Sequence, residues 1–231
     1  MMRSLLVWLF TWLFMIAAGV VALPWLWITG RLELAYGLAR VGVRGLLWLA
    51  GVEVVVVGRE LLPADGPRLY MANHQSNLDP PILIAYLPGN IAFLAKQELF
   101  SVPVLGWVLK AGDLVPVERG NRAAAQRNIA RAAEAARGGR PFLVFPEGTR
   151  SPDGRLLEFK KGVFYLAEEA GVPVVPITLA GTGARMPRGA LRIRPGKVEV
   201  RIHAPLPPEA WAGAAEPRGE CARLVREAMR E

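Results

Sequence analysis

The chain has 231 residues, of which 52% are apolar, and it carries a formal net charge of +8. This length suits one globular domain with a sizeable core, whereas the apolar fraction is high for a purely soluble protein. The excess of basic residues indicates an anionic partner: phospholipid headgroups, a phosphorylated substrate or nucleic acid. The single cysteine, Cys221, excludes an internal disulfide, and no cysteine or histidine spacing suggests a structural metal site.

The first thirty residues contain a long uncharged segment. No charged residue occurs from Leu5 to Ile28. About 20 apolar residues are enough to cross a membrane as a helix, and this run exceeds the apolar part of an ordinary signal peptide. Pro24 would kink or shorten the helix. We therefore expect an N-terminal membrane helix.

The next segment, from Arg31 to Gly51, predicts a second helix. Glu33, Arg40 and Arg44 fall on one narrow polar stripe, and the rest of the circumference is apolar. Residues 1–51 are thus predicted to form a two-helix membrane anchor that spans the bilayer once or lies in one leaflet. The alternative for the second helix is an ordinary helix that covers the core of the domain. Arginines near the apolar run favour a cytoplasmic location for residues 52–231.

After residue 51, short β-branched runs alternate with segments of helical pattern. Strands are predicted at 52–57, 68–72, 91–95, 113–117, 141–145, 174–179 and 198–202. Helices are predicted near 81–87, 102–110, 121–137, 162–170 and 218–230. This alternation predicts an α/β fold with a mixed, largely buried central sheet flanked by helices.

The stretch NHQSNLDP contains His74, one of two histidines in the chain, and Asp79. If the loop turns back, a carboxylate at this spacing reaches the imidazole, fixes its tautomer and leaves the other ring nitrogen free to take a proton. His74 would then be a general base. The alternative is that Asp79 is only an N-cap for the helix that begins with Pro80. His203 follows a strand pattern without a matching aspartate, so we expect it to be a packing residue.

A second polar motif, FPEGTRS, follows another predicted strand. Gly148 can adopt a positive φ and lets a ligand approach the backbone, Thr149 offers a hydroxyl, and Arg150 offers a fork of donors suited to phosphate. Lys160 lies near the start of a predicted helix, whose N-terminus also attracts anions. The alternative is a solvated turn in which Glu147 pairs with Arg150. No nucleotide-binding glycine loop and no serine-hydrolase motif is present.

Together these segments resemble the membrane-associated glycerolipid acyltransferases, most closely the 1-acylglycerol-3-phosphate acyltransferases. NHQSNLD matches the family's first motif and FPEGTRS its third. Residues 95–119 resemble the stretch that carries the second motif, and VPVVPITLAGT (172–182) matches the fourth. The resemblance runs in order from about residue 70 to 183, over half of the chain.

The resemblance implies that residues 52–231 form an acyltransferase domain in which His74 and Asp79 are the paired catalytic residues. It implies a substrate-binding set with no metal ion and no cofactor: Lys96, Arg119, Glu147, Gly148, Thr149, Arg150 and Lys160. Lys96 and Arg119 compete for the role of second phosphate contact. Ser76 as a covalent nucleophile is a further alternative.

The implied reaction transfers a fatty acyl group from a thioester of coenzyme A or acyl carrier protein to the 2-hydroxyl of lysophosphatidic acid, which makes phosphatidic acid. The implied partners are these two substrates and a phospholipid membrane, without nucleic acid. We expect the catalytic domain on the cytoplasmic face of the cell membrane. The alternatives are a different acceptor, glycerol-3-phosphate or another lysophospholipid, and a non-catalytic basic protein that binds membranes.

Overall fold

A computed structural model describes residues 2–62, 66–103, 105–112, 114–117 and 122–230. Within these residues the chain forms seven β-strands and eight α-helices. The strands are β1 (Val52–Val57), β2 (Leu69–Ala72), β3 (Ala92–Lys96), β4 (Val115–Val117), β5 (Phe142–Val144), β6 (Val174–Ala180) and β7 (Gly196–Ile202). The helices are α1 (Met2–Thr29), α2 (Glu33–Ala50), α3 (Asp79–Tyr86), α4 (Leu105–Ala111), α5 (Arg122–Arg137), α6 (Lys161–Ala170), α7 (Thr182–Arg185) and α8 (Pro217–Ala228).

The described strands form one sheet in the order β1-β7-β6-β2-β5-β3-β4. All neighbouring pairs are parallel except β6 and β7, which are antiparallel. The α/β class and the mixed sheet that the sequence predicts are therefore confirmed. Because β2, β3, β4, β5 and β6 run in one direction, the loops that follow these strands emerge at the same edge of the sheet.

Side chains on the central strands alternate between two apolar layers, as the pleat requires. Leu69 and Met71 of β2 pack with α5, α6 and α8 on one face. Tyr70 and Ala72 pack with α1, α2 and α3 on the other. Cys221 belongs to the first layer, where burial raises the pKa of its thiol to about 12, so it is an unreactive core residue.

The two N-terminal helices differ in their surroundings. In the part of the chain that the structure describes, α1 alone is long and apolar enough to cross a membrane, with a mean hydropathy of 2.3 over its best window. It continues past Pro24 to Thr29, and large apolar side chains such as Leu5 (71% exposed) and Val20 (70%) form an uncovered face. An exposed apolar face of this kind is typical of surfaces that contact a membrane or a partner protein.

Helix α2 packs between α1 and the domain. Its arginines are used inside the protein, since Arg40 donates to the carbonyl of Gly89 (2.6 Å) and Arg44 to that of Ala85 (3.0 Å). The hydroxyl of Tyr36 donates to the carbonyl of Ile91 (2.6 Å). These polar groups thus join α2 to the end of α3 and to the loop that follows it.

Gly58, directly after β1, occupies a position that only glycine fits. Its φ is 78°, and a Cβ atom there would lie 2.1 Å from the carbonyl oxygen of Ile202. We predict that Gly58→Ala lowers the free energy of unfolding by about 3 kcal/mol, since a left-handed conformation and a backbone clash both act against the new methyl group. Gly171→Ala is the matched control: its φ is 58° with nothing within 4 Å of the added carbon, so only the cost of about 1–2 kcal/mol for the conformation applies. Thermal or denaturant unfolding in detergent measures both, and equal losses would refute the clash.

Candidate active site

The candidate site lies where β2 and β5 end. These strands are paired in parallel with Leu69 opposite Phe142 and Met71 opposite Val144. The loop that begins at Asn73 and the turn that begins at Phe145 therefore leave the sheet side by side. The two motifs found in the sequence are thus brought together by the register of two adjacent central strands.

His74 and Asp79 form a direct hydrogen bond. The ring Nδ1 of His74 lies 2.7 Å from Oδ2 of Asp79, and the Asp79 side chain is fully buried. The same oxygen accepts hydrogen bonds from the amides of Gln75 (2.6 Å) and Ser76 (2.8 Å). A buried carboxylate only accepts, so Nδ1 carries the proton and Nε2 of His74 is left as the acceptor.

Asp79 is not an N-cap, so that alternative is wrong. It is the first residue of α3, and Leu78 occupies the cap position without any side-chain cap. The two residues that follow Asp79 are prolines, which have no N–H to donate. The carboxylate therefore turns back to the amides that precede the helix.

Two further residues of the loop hold it in place. The Oγ of Ser76 donates to the carbonyl of Met186 (2.8 Å) and accepts from the amide of Leu78 (3.1 Å), and Ser76 is fully buried. A hydroxyl so placed is not available as a nucleophile. The side-chain amide of Asn73 donates to the carbonyl of Leu179 (2.9 Å) and accepts from its N–H (2.6 Å), which joins the loop to β6.

The turn after β5 contacts the histidine from several sides. The ring of Phe145 stacks on the ring of His74 with centroids 4.2 Å apart. The amide of Ser151 donates to the carbonyl of His74 (2.7 Å), and Nη1 of Arg150 donates to Oδ1 of Asn77 (2.7 Å). Phe145, Ser151 and Asn77 lie within the two sequence motifs, but no local pattern marks them as contacts of the histidine loop.

Glu147 is used inside the protein. One carboxylate oxygen accepts from the amide of His74 (2.7 Å) and the other from the amide of Leu157 (2.8 Å), and the residue is 1% exposed. Glu147 does not pair with Arg150, and neither of its oxygens is presented to a substrate. Its place is that of a brace for the backbone of His74, in contrast to the expected substrate contact.

Burial raises the pKa of the Glu147 carboxyl above its usual range, and the hydrogen bonds from Leu157 and His74 counteract part of that rise. The nearby Asp79 charge acts in the same direction as burial. Two acidic side chains thus form hydrogen bonds with His74: Asp79 with its ring and Glu147 with its backbone amide.

The predicted cations differ in how close they lie to this turn. Lys160 is exposed, and its Cγ is 3.2 Å from the place where a Cβ of Gly148 (φ 64°) would stand, so its stem passes over that glycine. Thr149 is partly exposed between Gly148 and Arg150. Lys96, the last residue of β3, is on the same edge of the sheet, and its Nζ pairs with Glu98 (2.7 Å) at an exposed position. Arg119 lies outside the described residues.

An apolar cavity of about 350 Å³ adjoins the site. Helices α1 and α2 supply most of its wall, and α3 and α4 close it. Pro80 and Pro81, which directly follow Asp79, are part of the wall. His203, the other histidine, lies elsewhere: its Nε2 is 2.8 Å from Oγ1 of Thr178, and it is buried.

Comparison with known proteins agrees with this geometry. The family model described as Acyltransferase matches residues 53–180. This chain belongs to that acyltransferase family. The family predicted from the sequence is thereby confirmed.

Relatives within the acyltransferase family span several kingdoms. A 1-acyl-sn-glycerol-3-phosphate acyltransferase of Chlamydomonas reinhardtii is 42% identical over 158 residues, which are 68% of this chain and 47% of that protein. One of Saccharomyces cerevisiae is 34% identical over 215 residues, 91% of this chain and 70% of that protein. The chain spans about half the length of the first of these relatives. The crystal structure of the 1-acyl-sn-glycerophosphate (LPA) acyltransferase PlsC from Thermotoga maritima matches 99% of this chain and 94% of its own, at 32% identity and a TM-score of 0.83.

The raised pKa of Glu147 predicts how its replacement changes the stability of this protein. In the pH range between the usual carboxyl pKa and the raised one, the folded state binds more protons than the unfolded state, so this group makes stability fall as pH rises. We predict that Glu147→Gln removes that fall: the free energy of unfolding of the wild type minus that of the variant decreases as pH rises through this range.

The matched control is Glu158→Gln, which removes an exposed carboxylate one residue from Leu157. Denaturant unfolding of the three proteins from pH 4 to 8 in the same detergent measures the differences. A wild-type minus Glu147→Gln difference that is constant or rises with pH would contradict the raised pKa.

Proposed function

We propose that this protein transfers a fatty acyl group from a thioester to the 2-hydroxyl of 1-acylglycerol-3-phosphate and so makes phosphatidic acid. The observation that carries the proposal is the bond between Nδ1 of His74 and the buried Asp79, in a loop that Arg150 of the neighbouring turn contacts through Asn77. The acceptor is supported by the names of the relatives, which are 1-acyl-sn-glycerol-3-phosphate acyltransferases.

His74 is the general base of the proposed reaction. Its Nδ1 is engaged by Asp79, its Nε2 has no partner among the described residues, and its side chain is 18% exposed. Nε2 takes the proton of the acceptor hydroxyl as the oxygen attacks the thioester carbonyl. The carboxylate of Asp79 then stabilises the imidazolium and keeps its orientation.

The second half of the reaction returns this proton. The tetrahedral intermediate collapses with cleavage of the C–S bond, and the imidazolium protonates the leaving thiolate. One ester bond forms and one thioester bond breaks, so the balance requires no redox partner and no cofactor. The donor is a thioester of coenzyme A or of acyl carrier protein.

The oxyanion of the intermediate needs hydrogen-bond donors. The amides of His74, Gln75 and Ser76 are bound to the two buried carboxylates. No described residue accepts from the amides of Thr149 and Arg150. We assign these two amides as the candidate donors.

The phosphate of the acceptor binds to the cations at the mouth of the site. Arg150 is held beside the loop of His74 by its bond to Asn77, which orients its guanidinium for a bidentate contact. Lys160, over Gly148, is the second cation next to the turn. Lys96 and Arg119 stay predictions as further contacts, and the exposed ion pair of Lys96 with Glu98 is weak enough to open.

The apolar cavity accepts an acyl chain. Its wall is almost entirely apolar and extends from the prolines after Asp79 to the interior of the α1–α2 pair. An acyl chain that lies there has its reacting carbon near His74 and its methyl end near the membrane helix. In this arrangement the cavity holds the chain that is transferred, whichever acceptor takes it.

The uncovered face of α1 associates with the membrane in this proposal, and residues 1–51 act as the anchor. The catalytic domain lies on the cytoplasmic face, in line with the arginines that flank the apolar segment. An anchored enzyme meets a lysophospholipid in the bilayer and its acyl donor in the aqueous phase.

The proposed roles of His74 and Asp79 are tested by release of free thiol from an acyl thioester in the presence of lysophosphatidic acid. We expect His74→Ala and Asp79→Asn each to lower kcat by about 10²–10⁴-fold. The first change removes the general base, and the second removes the carboxylate that fixes the tautomer of His74. His203→Gln is the control, since it replaces the other histidine outside the site. Unchanged turnover by His74→Ala in protein with a normal melting curve would refute the proposal.

The proposal that the cavity holds the acyl chain can be tested by making the cavity smaller. Ala39 of α2 lines the cavity, whereas Val41 on the same helix is 62% exposed. We predict that Ala39→Phe lowers kcat/KM for long acyl chains by roughly tenfold relative to short ones, the effect of losing room for about one or two buried methylene groups. Val41→Phe leaves the ratio unchanged. Rates over a series of saturated acyl thioesters measure it, and an unaltered chain-length profile for Ala39→Phe would show that the acyl chain lies elsewhere.

A further inference from the structure

A loop far from the catalytic residues in the sequence lies against the start of α1. We call residues 187–195, between α7 and β7, the basic loop. Its arginines at 188, 192 and 194 are exposed, and no described residue forms an ion pair with them. It contains no acidic residue, and Leu191 near its middle is 74% exposed. Three exposed arginines therefore flank an exposed leucine in the sequence of the loop.

The basic loop is held in a defined position. The indole Nε1 of Trp8 donates to the carbonyl of Leu191 (2.7 Å), and the amide of Ile193 donates to Oγ of Ser4 (3.2 Å). Ile193 is buried in the core, and Arg185 closes the loop by donating to the carbonyl of Pro195. The loop is thus fixed to the first two turns of the helix whose outer face is uncovered.

This surface combines two features that a bilayer surface matches. Leu5 and Leu9 of α1 are exposed (71% and 53%) on the same two helical turns whose Ser4 and Trp8 bind the loop. Arginines around an apolar tip suit the boundary between anionic headgroups and acyl chains, where apolar side chains enter and guanidinium groups bind phosphate. A nucleic acid would leave the leucines without a partner.

We infer that the basic loop is a second membrane contact, which binds anionic phospholipid headgroups beside the N-terminal end of α1. This inference rests on the proposed membrane association of α1 and goes beyond it, because it assigns lipid binding to a segment outside residues 1–51. It predicts that Leu191 enters the interface of anionic bilayers while the arginines contact their phosphates.

The experiment follows the surroundings of position 191 in the full-length protein. Because Cys221 is fully buried, a cysteine introduced by Leu191→Cys can be labelled selectively with an environment-sensitive fluorophore. The labelled protein is reconstituted into vesicles of phosphatidylglycerol or of phosphatidylcholine, and quenching by neutral acrylamide is measured. Ala130→Cys is the control label site, since Ala130 is exposed on α5, across the sheet from α1.

We expect acrylamide quenching at position 191 to fall at least threefold in phosphatidylglycerol relative to phosphatidylcholine, and the protection to weaken in high salt. Replacing the arginines at 188, 192 and 194 by glutamine should abolish the protection. The same charge change at Arg127, Arg131 and Arg230, on the α5 and α8 side, should preserve it.

Three results would overturn the inference. These are equal quenching in both lipids, protection that survives loss of the three loop arginines, and equal protection by inorganic phosphate or heparin without vesicles. Binding is measured without thioester or lysophospholipid, so failure of the proposed catalytic function would leave this test intact. A His74→Ala background should behave like the wild type.

Discussion

The charge of Asp79 is the constraint on which the site depends. A carboxylate taken fully out of water is stable only when donors surround it. Here one of its oxygens receives Nδ1–H of His74 and the two amides that follow His74 in the chain. The contact therefore does two things at once: it shapes the loop into a tight turn, and it determines which imidazole nitrogen faces outward. A change that moves any of these donors also changes how Asp79 holds the imidazole. The conformation of the loop and the orientation of the histidine therefore depend on the same contacts.

Glu147 completes this arrangement from the neighbouring strand. Its bond to the amide of His74 joins two loops that are 73 positions apart in the sequence, and only the parallel pairing of β2 with β5 makes that distance short. Burial raises its pKa, which means that its charge is held at a cost to stability. Asp79 binds the ring of His74 and Glu147 binds its backbone amide, so the two carboxylates hold the histidine at two different points. An imidazolium that forms during the proposed proton transfer is therefore met by the carboxylate of Asp79 without any rearrangement.

Much of the fold was predictable because its signals are local. The β-branched runs predicted all seven described strands, with ends that differ by at most two residues from those observed. The role of Asp79 was also readable in principle: the two prolines after it leave a helix start with few amides to cap, so its carboxylate had to find donors elsewhere. Two contacts could not be predicted from the sequence. The brace by Glu147 and the bond of Ser76 to Met186 depend on which strands are neighbours, and no local pattern contains that information. The short helix α7 was missed because four residues carry no periodic signal.

The same long-range contacts join the loop of His74 to the first turns of α1. Ser76 donates to the carbonyl of Met186, which is buried at the point where the basic loop begins, and the far end of that loop is bonded to α1. The loop of His74, the basic loop and the first turns of α1 therefore form one continuous set of contacts. In the proposed arrangement, binding of the basic loop to headgroups sets the height of His74 above the bilayer, while the cavity between α1 and α3 continues from the prolines after Asp79 toward the acyl chains. A lipid can then present its glycerol to His74 with its phosphate at headgroup level, while the acyl chain that is transferred lies in the cavity. The position of the enzyme on the membrane thereby becomes part of how its substrate is aligned.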